Sequence, residues 1–130
     1  MRSAVKRSIL LVDDESDIIE YMTSLIEDEL EETLELHSAK DGVEALTLVE
    51  KHTFDLIVTD LRMPRMDGME LVSQIREGDT PNKLVPILFF SAYLVQVKGL
   101  DETYDKIWYM EKPLDEQPFI RCVKMAISSG

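Results

Sequence analysis

Four short, nearly continuous apolar runs, each closed by a polar residue, constrain this chain more than any other feature: Ile9-Leu10-Leu11-Val12, Leu56-Ile57-Val58, Ile87-Leu88-Phe89-Phe90 and Ile107-Trp108-Tyr109-Met110. Runs of this length suit strands buried on both faces. A fifth segment, Leu34 to Ser38, alternates instead, with Leu34 and Leu36 on one side and Glu35 and His37 on the other. That is the pattern of an edge strand with one wetter face.

Helical periods lie between the runs. Ile18, Ile19, Met22, Leu25, Ile26 and Leu30 form one apolar stripe and predict a helix over roughly residues 16–31. Asp41 with Glu44, and Asp67 with Glu70, each place an acceptor at an N-cap and a carboxylate at N3. Ala45, Leu46 and Val49 then face the core from one helix, and Leu71, Val72 and Ile75 from the next. Leu114 and Phe119 flank Asp115 as a hydrophobic staple, followed by Ile120, Val123 and Ile127 at helical spacing. From Tyr93 to Asp105 the pattern weakens: Gly99 interrupts Leu94, Val95, Val97 and Leu100, which predicts a short or mobile fourth helix. Strands that alternate with helices form parallel sheets, because a parallel return needs a crossover. The expected product is an α/β domain with a doubly wound five-stranded parallel sheet, (βα)5.

At 130 residues and 45% hydrophobic, the chain is expected to form one domain with a sizeable core and no room for a second. Residues 1–7, which include Arg2, Lys6 and Arg7, read as a short basic tail, and 8–128 as the domain. Fourteen Lys+Arg against 26 Asp+Glu leave a net charge of −12, the wrong sign for neutralising nucleic-acid phosphates or docking on an acidic membrane. No apolar run approaches the ~18 residues of a membrane span. The single Cys122 excludes an intrachain disulfide framework and suits a reducing, cytoplasmic setting, and no Cys/His cluster has zinc spacing. The acid block Glu27, Asp28, Glu29, Glu31, Glu32 and Glu35 reads as a solvated face, His37 and His52 as surface histidines, and Cys122 as a helix residue beside the core.

In an open α/β sheet, ligands bind beyond the carboxyl ends of the strands. Val12 is followed by Asp13-Asp14-Glu15, Thr59 by Asp60, Phe90 by Ser91, and Met110 by Glu111-Lys112-Pro113. Adjacent carboxylates with a third one strand away are costly to desolvate without a cation. Mg2+ takes a few carboxylates and a carbonyl and leaves positions for phosphoryl oxygens. A lysine ammonium and a serine hydroxyl can neutralise a transferring phosphoryl group while one carboxylate attacks phosphorus to form an acyl phosphate.

This set resembles the receiver domain of two-component response regulators over essentially residues 8–128. The matching motifs are Val12-Asp13-Asp14, Asp60-Leu61-Arg62-Met63-Pro64 with Met66-Asp67-Gly68, Phe90-Ser91-Ala92, and Lys112-Pro113. The resemblance implies strand order 2-1-3-4-5 and Asp60 as the phosphorylated nucleophile. It implies Asp14 as a direct Mg2+ ligand, Asp13 acting mainly through water, and the Arg62 backbone carbonyl completing the set. Ser91 would bond a phosphoryl oxygen and Lys112 would pair with the phosphoryl group or with Asp60. The Lys112–Pro113 bond would be cis, and Ser91 and Tyr109 would form the switch. Arg62 and Tyr93, each two beyond its site residue, would tune phosphorylation and hydrolysis rates.

The implied donor is a histidine kinase or histidine phosphotransfer protein, and the implied output an unknown protein partner, with homodimerisation through the fourth helix, fifth strand and fifth helix as a further option. A domain that modifies itself is not a turnover enzyme. It would be a single-domain regulator or a receiver excised from a larger protein. A phosphatase with an aspartyl-phosphate intermediate usually has a second Asp where Arg62 stands, and a pseudo-receiver would need none of the acid, hydroxyl and lysine set. Asp105 and Lys106 stand where the family usually has Gly-Ala, and Glu111 where an apolar strand residue is usual.

Overall fold

The computed structural model describes residues 6–31, 33–92 and 100–129. Five strands, β1 (Lys6–Val12), β2 (Thr33–Ala39), β3 (Leu56–Thr59), β4 (Ile87–Ser91) and β5 (Ile107–Glu111), alternate with helices α1 (Ser16–Glu29), α2 (Gly42–Lys51), α3 (Gly68–Glu77), α4 (Leu100–Thr103) and α5 (Glu116–Ser128). The strands pair in parallel in the order β2-β1-β3-β4-β5. The alternating chemistry of the central strands sorts the core into two layers. Ile9, Leu11, Leu56, Val58, Leu88 and Phe90 meet α1 and α5 on one face. Leu10, Val12, Ile57, Ile87 and Phe89 meet α2 and α3 on the other. Each such fully buried large side chain is worth roughly 1.5–3 kcal/mol over exposure.

Both carboxylate caps form as the sequence predicts. Asp41 accepts a bond from the Glu44 amide at 2.8 Å, and Asp67 one from the Glu70 amide at 2.8 Å. Leu114 packs against the core cluster that contains Phe119. The predicted helix ends two residues early, at Glu29, although Leu30, the last residue of the apolar stripe, is still buried in the core. Lys6 and Arg7, assigned to the basic tail by sequence, are the first residues of β1. Lys6 pairs with Glu35 at 2.9 Å and Arg7 with Asp55 at 3.7 Å, so charge pairing extends the strand outward.

Two further readings need correction. The run Ile107–Met110 looks buried on both faces, yet every one of these residues is only partly buried. The reason is topological: β5 is a sheet edge, paired with a strand on one side only. The expectation of a short or mobile fourth helix over Tyr93 to Asp105 falls partly outside the described residues: α4 covers Leu100–Thr103, and Tyr93 to Gly99 lie outside them. Cys122, read as beside the core, is inside it, and burial raises its thiol pKa.

The Asp105-Lys106 departure has a structural counterpart. Lys106 takes a left-handed φ of 60°, which costs a side-chain-bearing residue energy. The buried Arg76 guanidinium donates to the Asp105 carbonyl at 2.9 Å and the Lys83 carbonyl at 3.1 Å, fixing α3 to the turn that enters β5.

Candidate functional site

Backbone bonds carry the parallel ladders one residue beyond each strand and so place the polar ends side by side. The Asp13 amide donates to the Ala39 carbonyl at 3.1 Å, the Asp60 amide to the Val12 carbonyl at 2.9 Å, and the Lys112 amide to the Ser91 carbonyl at 3.0 Å. Asp13, Asp60 and Ser91 are buried, while Asp14 is exposed at the mouth.

The result is a cup of acids around one ammonium. Lys112 Nζ reaches Asp13 Oδ2 at 2.9 Å, Asp60 Oδ2 at 3.0 Å and, more loosely, Glu15 Oε2 at 3.4 Å. Carboxylate oxygens of Asp13, Asp14 and Asp60 lie within 4.8 Å of one another. The other oxygens are held by backbone amides: Asp60 Oδ1 accepts from Leu61 N at 2.6 Å and Asp13 Oδ1 from Glu15 N at 2.9 Å. Both acids are therefore oriented before any ligand arrives. The peptide bond from Lys112 to Pro113 is cis.

The electrostatics follow from burial against pairing. Burial pushes the Asp13 carboxyl above its ordinary value, and repulsion from Asp60 adds to this, while the Lys112 and Glu15 hydrogen bonds oppose it. For Lys112, burial acts to lower the pKa, but bonds and attraction from Asp13 and Asp60 outweigh it and hold the ammonium above the usual lysine range. Three carboxylates against one ammonium still leave the cup negative. Its donors are all oxygens, the set that suits a hard divalent cation such as Mg2+.

The loop after Asp60 is clamped to α2. The Gly42 amide donates to the Met66 carbonyl at 3.0 Å, and Arg65, at a left-handed φ of 67°, pairs with the buried Asp41 carboxylate. Gly68 begins α3 against the nucleophile's own backbone: a Cβ there would stand 2.3 Å from the Asp60 carbonyl oxygen. Arg62 lies exposed in this loop. Tyr109 is partly buried and stacks on Phe89, with ring centroids 6.0 Å apart and planes 10° apart. Tyr93 is outside the described residues. Sequence reasoning gave no role at the site to Glu15 or Arg65, read Asp41 only as a helix cap and placed Gly68 only within a motif. Only the first had a signal, its place directly after the acid pair.

The family model of the response regulator receiver domain matches residues 9–124. The chain belongs to this family. A 14.6 kDa protein of Leptolyngbya boryana is 32% identical to this receiver domain, covering 95% of this chain and 92% of that protein. The alkaline phosphatase synthesis transcriptional regulatory protein PhoP of Bacillus subtilis is 34% identical over 86% of this chain, which spans 41% of that regulator. This receiver likewise spans 41% and 43% of two other curated relatives. Among solved structures, the response regulator TrrA of Thermotoga maritima, in complex with Mg2+-BeF, matches with a TM-score of 0.76 at 27% identity, covering 92% of this chain and 98% of that one. Receiver domains belong to signalling proteins rather than turnover enzymes, and among the described residues no helix is long and apolar enough to cross a membrane.

Proposed function

We propose that this receiver, spanning residues 8–128, accepts a phosphoryl group on Asp60 from a phosphohistidine of a histidine kinase or phosphotransfer protein, with Mg2+ held by Asp13, Asp14, Asp60 and the Arg62 carbonyl. The observation that carries the reading is the Asp60 carboxylate, fixed by the Leu61 amide and paired with Lys112, beside two further carboxylates. The bound metal would neutralise negative charge as the phosphoryl group approaches the carboxylates.

The chain's own groups do the rest. An Asp60 carboxylate oxygen attacks phosphorus, a P–O bond forms and the donor's P–N bond breaks. The electron pair returns to the imidazole nitrogen, which takes a proton from water. Lys112, which pairs Asp13 and Asp60 beforehand, turns its ammonium to a phosphoryl oxygen, and the Ser91 hydroxyl donates to another. These contacts exist only in the phosphorylated state, so they bias a two-state element made of Ser91 and Tyr109. Arg62 and Tyr93, each two residues beyond its site residue in sequence, would set how fast the phosphoryl group arrives and is hydrolysed. The altered surface of α4, β5 and α5 would engage a downstream protein or a second copy, in the cytoplasm, without direct contact to nucleic acid.

Incubation with phosphoramidate, whose P–N bond mimics phosphohistidine, should add one phosphoryl group to the intact mass in the presence of Mg2+ and none after its removal by chelation. A protein that binds Mg2+ yet gains no mass from any phosphohistidine donor would instead be a pseudo-receiver that binds partners without phosphorylation.

A further inference from the structure

The chain's two histidines, fifteen residues apart in sequence, meet at the β2 edge of the sheet, away from the acid cup. Alternation along β2 places Glu35 and His37 on the same face, the face on which α2 packs, and α2 ends with His52 as its C-cap. Glu35 Oε2 and His37 Nε2 are 3.1 Å apart, and the imidazoles of His37 and His52 stand with centroids 4.6 Å apart. One donor atom from each of the three residues lies within 4.8 Å of the other two.

We propose that Glu35, His37 and His52 form a binding site for a zinc-class divalent cation. Two imidazoles and one carboxylate are a donor set that zinc accepts with a fourth position left to water. Metal–donor distances of about 2.0–2.2 Å put the corners of a tetrahedron about 3.4 Å apart. The Glu35–His37 pair, at 3.1 Å, is already near that spacing, and with all three donors within 4.8 Å of one another His52 has at most about 1.4 Å to close. Imidazole donors favour zinc, nickel or copper over Mg2+, so the site differs in kind from the all-oxygen cup.

The site is built from held parts. Lys6 bonds Glu35 through Oε1 at 2.9 Å, which leaves Oε2 toward His37. A glutamate carboxyl is ionised throughout the neutral range, so the pair presents an anionic oxygen beside an imidazole nitrogen. The His52 backbone is fixed on both sides. Its amide donates to the Leu48 carbonyl at 2.9 Å, and its carbonyl accepts from the buried Asn82 side chain at 2.7 Å. That Asn82 also donates to the Val49 carbonyl and accepts from the Phe54 amide, so it ties the end of α2 to the entry of β3. Phe54 closes the floor, with its ring 5.5 Å from that of His37.

Zinc chloride titrated calorimetrically into the full chain, with excess Mg2+ present to occupy the acid cup, should bind at one site. His52→Ala removes an exposed ligand and keeps the backbone bonds, so a circular-dichroism melt should match that of the parent. Because loss of even an outer partner of a metal ligand costs about 10–100-fold in affinity, loss of the ligand itself should weaken zinc at least about tenfold. Asp14→Asn should leave zinc affinity unchanged. Co2+ in place of zinc should give a visible absorption band that His52→Ala removes. Absence of zinc binding at millimolar concentration would overturn the proposal. So would equal affinity in His52→Ala, or binding that Mg2+ displaces and Asp14→Asn abolishes.

Discussion

β3 and β5 each lead directly into a residue of the acid cup, Asp60 and Lys112, yet they are built differently. β3 is buried along its whole length, has a strand on either side and is covered by helices on both faces. β5 has one neighbouring strand and residues that are partly or fully exposed throughout. Asp60 therefore sits on the part of the molecule that opens only at close to the full cost of unfolding, and Lys112 on a part that can open locally. The nucleophile is fixed, and the cation that must change partners is carried by the pliant edge.

This contrast can be broken from either side. Phe89→Ala, which empties a fully buried position under the nucleophile strand, should cost about 4 kcal/mol in a urea melt; a loss below about 1 kcal/mol would mean that the central layer is not the rigid support described. Gly68→Ala should cost about 3 kcal/mol and slow phosphoryl uptake, because the new methyl must displace the Asp60 backbone. Unchanged stability and uptake would show that α3 does not hold the nucleophile. Trp108→Ala, on β5, should cost only about 2 kcal/mol, since its side chain is partly buried, and native-state hydrogen exchange should show β5 amides opening before those of β3. Equal protection of the two strands would remove the contrast.

The smallest expected effect is on pH dependence, and the two ends of the sheet should act with opposite sign. The Glu35 carboxyl is lowered from 4.5 to about 2, so its stabilisation is present above pH 4.5 and lost as pH falls toward 2. Glu35→Gln should flatten that limb slightly, the pair being partly exposed and screened. Asp13 is raised above 3.8, so its contribution is present below that pH and is lost as pH rises through the raised value. Asp13→Asn should therefore gain stability relative to the parent as pH rises above 4. Parallel profiles for parent and variants would contradict both assignments.

Much of this was readable from residue order. The apolar runs mark four strands, and the alternation of Leu34 to Ser38 marks an edge strand, because burial on one face or two is written directly in side-chain polarity. The acids, Ser91 and Lys112 were legible because strand ends in a parallel sheet converge. What escaped was whatever depends on packing between distant segments. His37 and His52 look like solvated singletons until β2 and the end of α2 are laid together, and Asp41 looks like a simple cap until Arg65 folds over it. The partial exposure of β5 was hidden because Trp, Tyr and Ile are equally at home on a half-covered edge.

The central claim is that Asp60 is the phosphoacceptor, and mapping the modified atom tests it most directly. The protein phosphorylated by phosphoramidate with Mg2+ is reduced with borohydride, which converts an aspartyl phosphate to homoserine, and then digested and sequenced by mass. Homoserine at position 60 alone is the predicted result. Phosphate retained on His37 or His52, or homoserine at position 13 or 14, would contradict it.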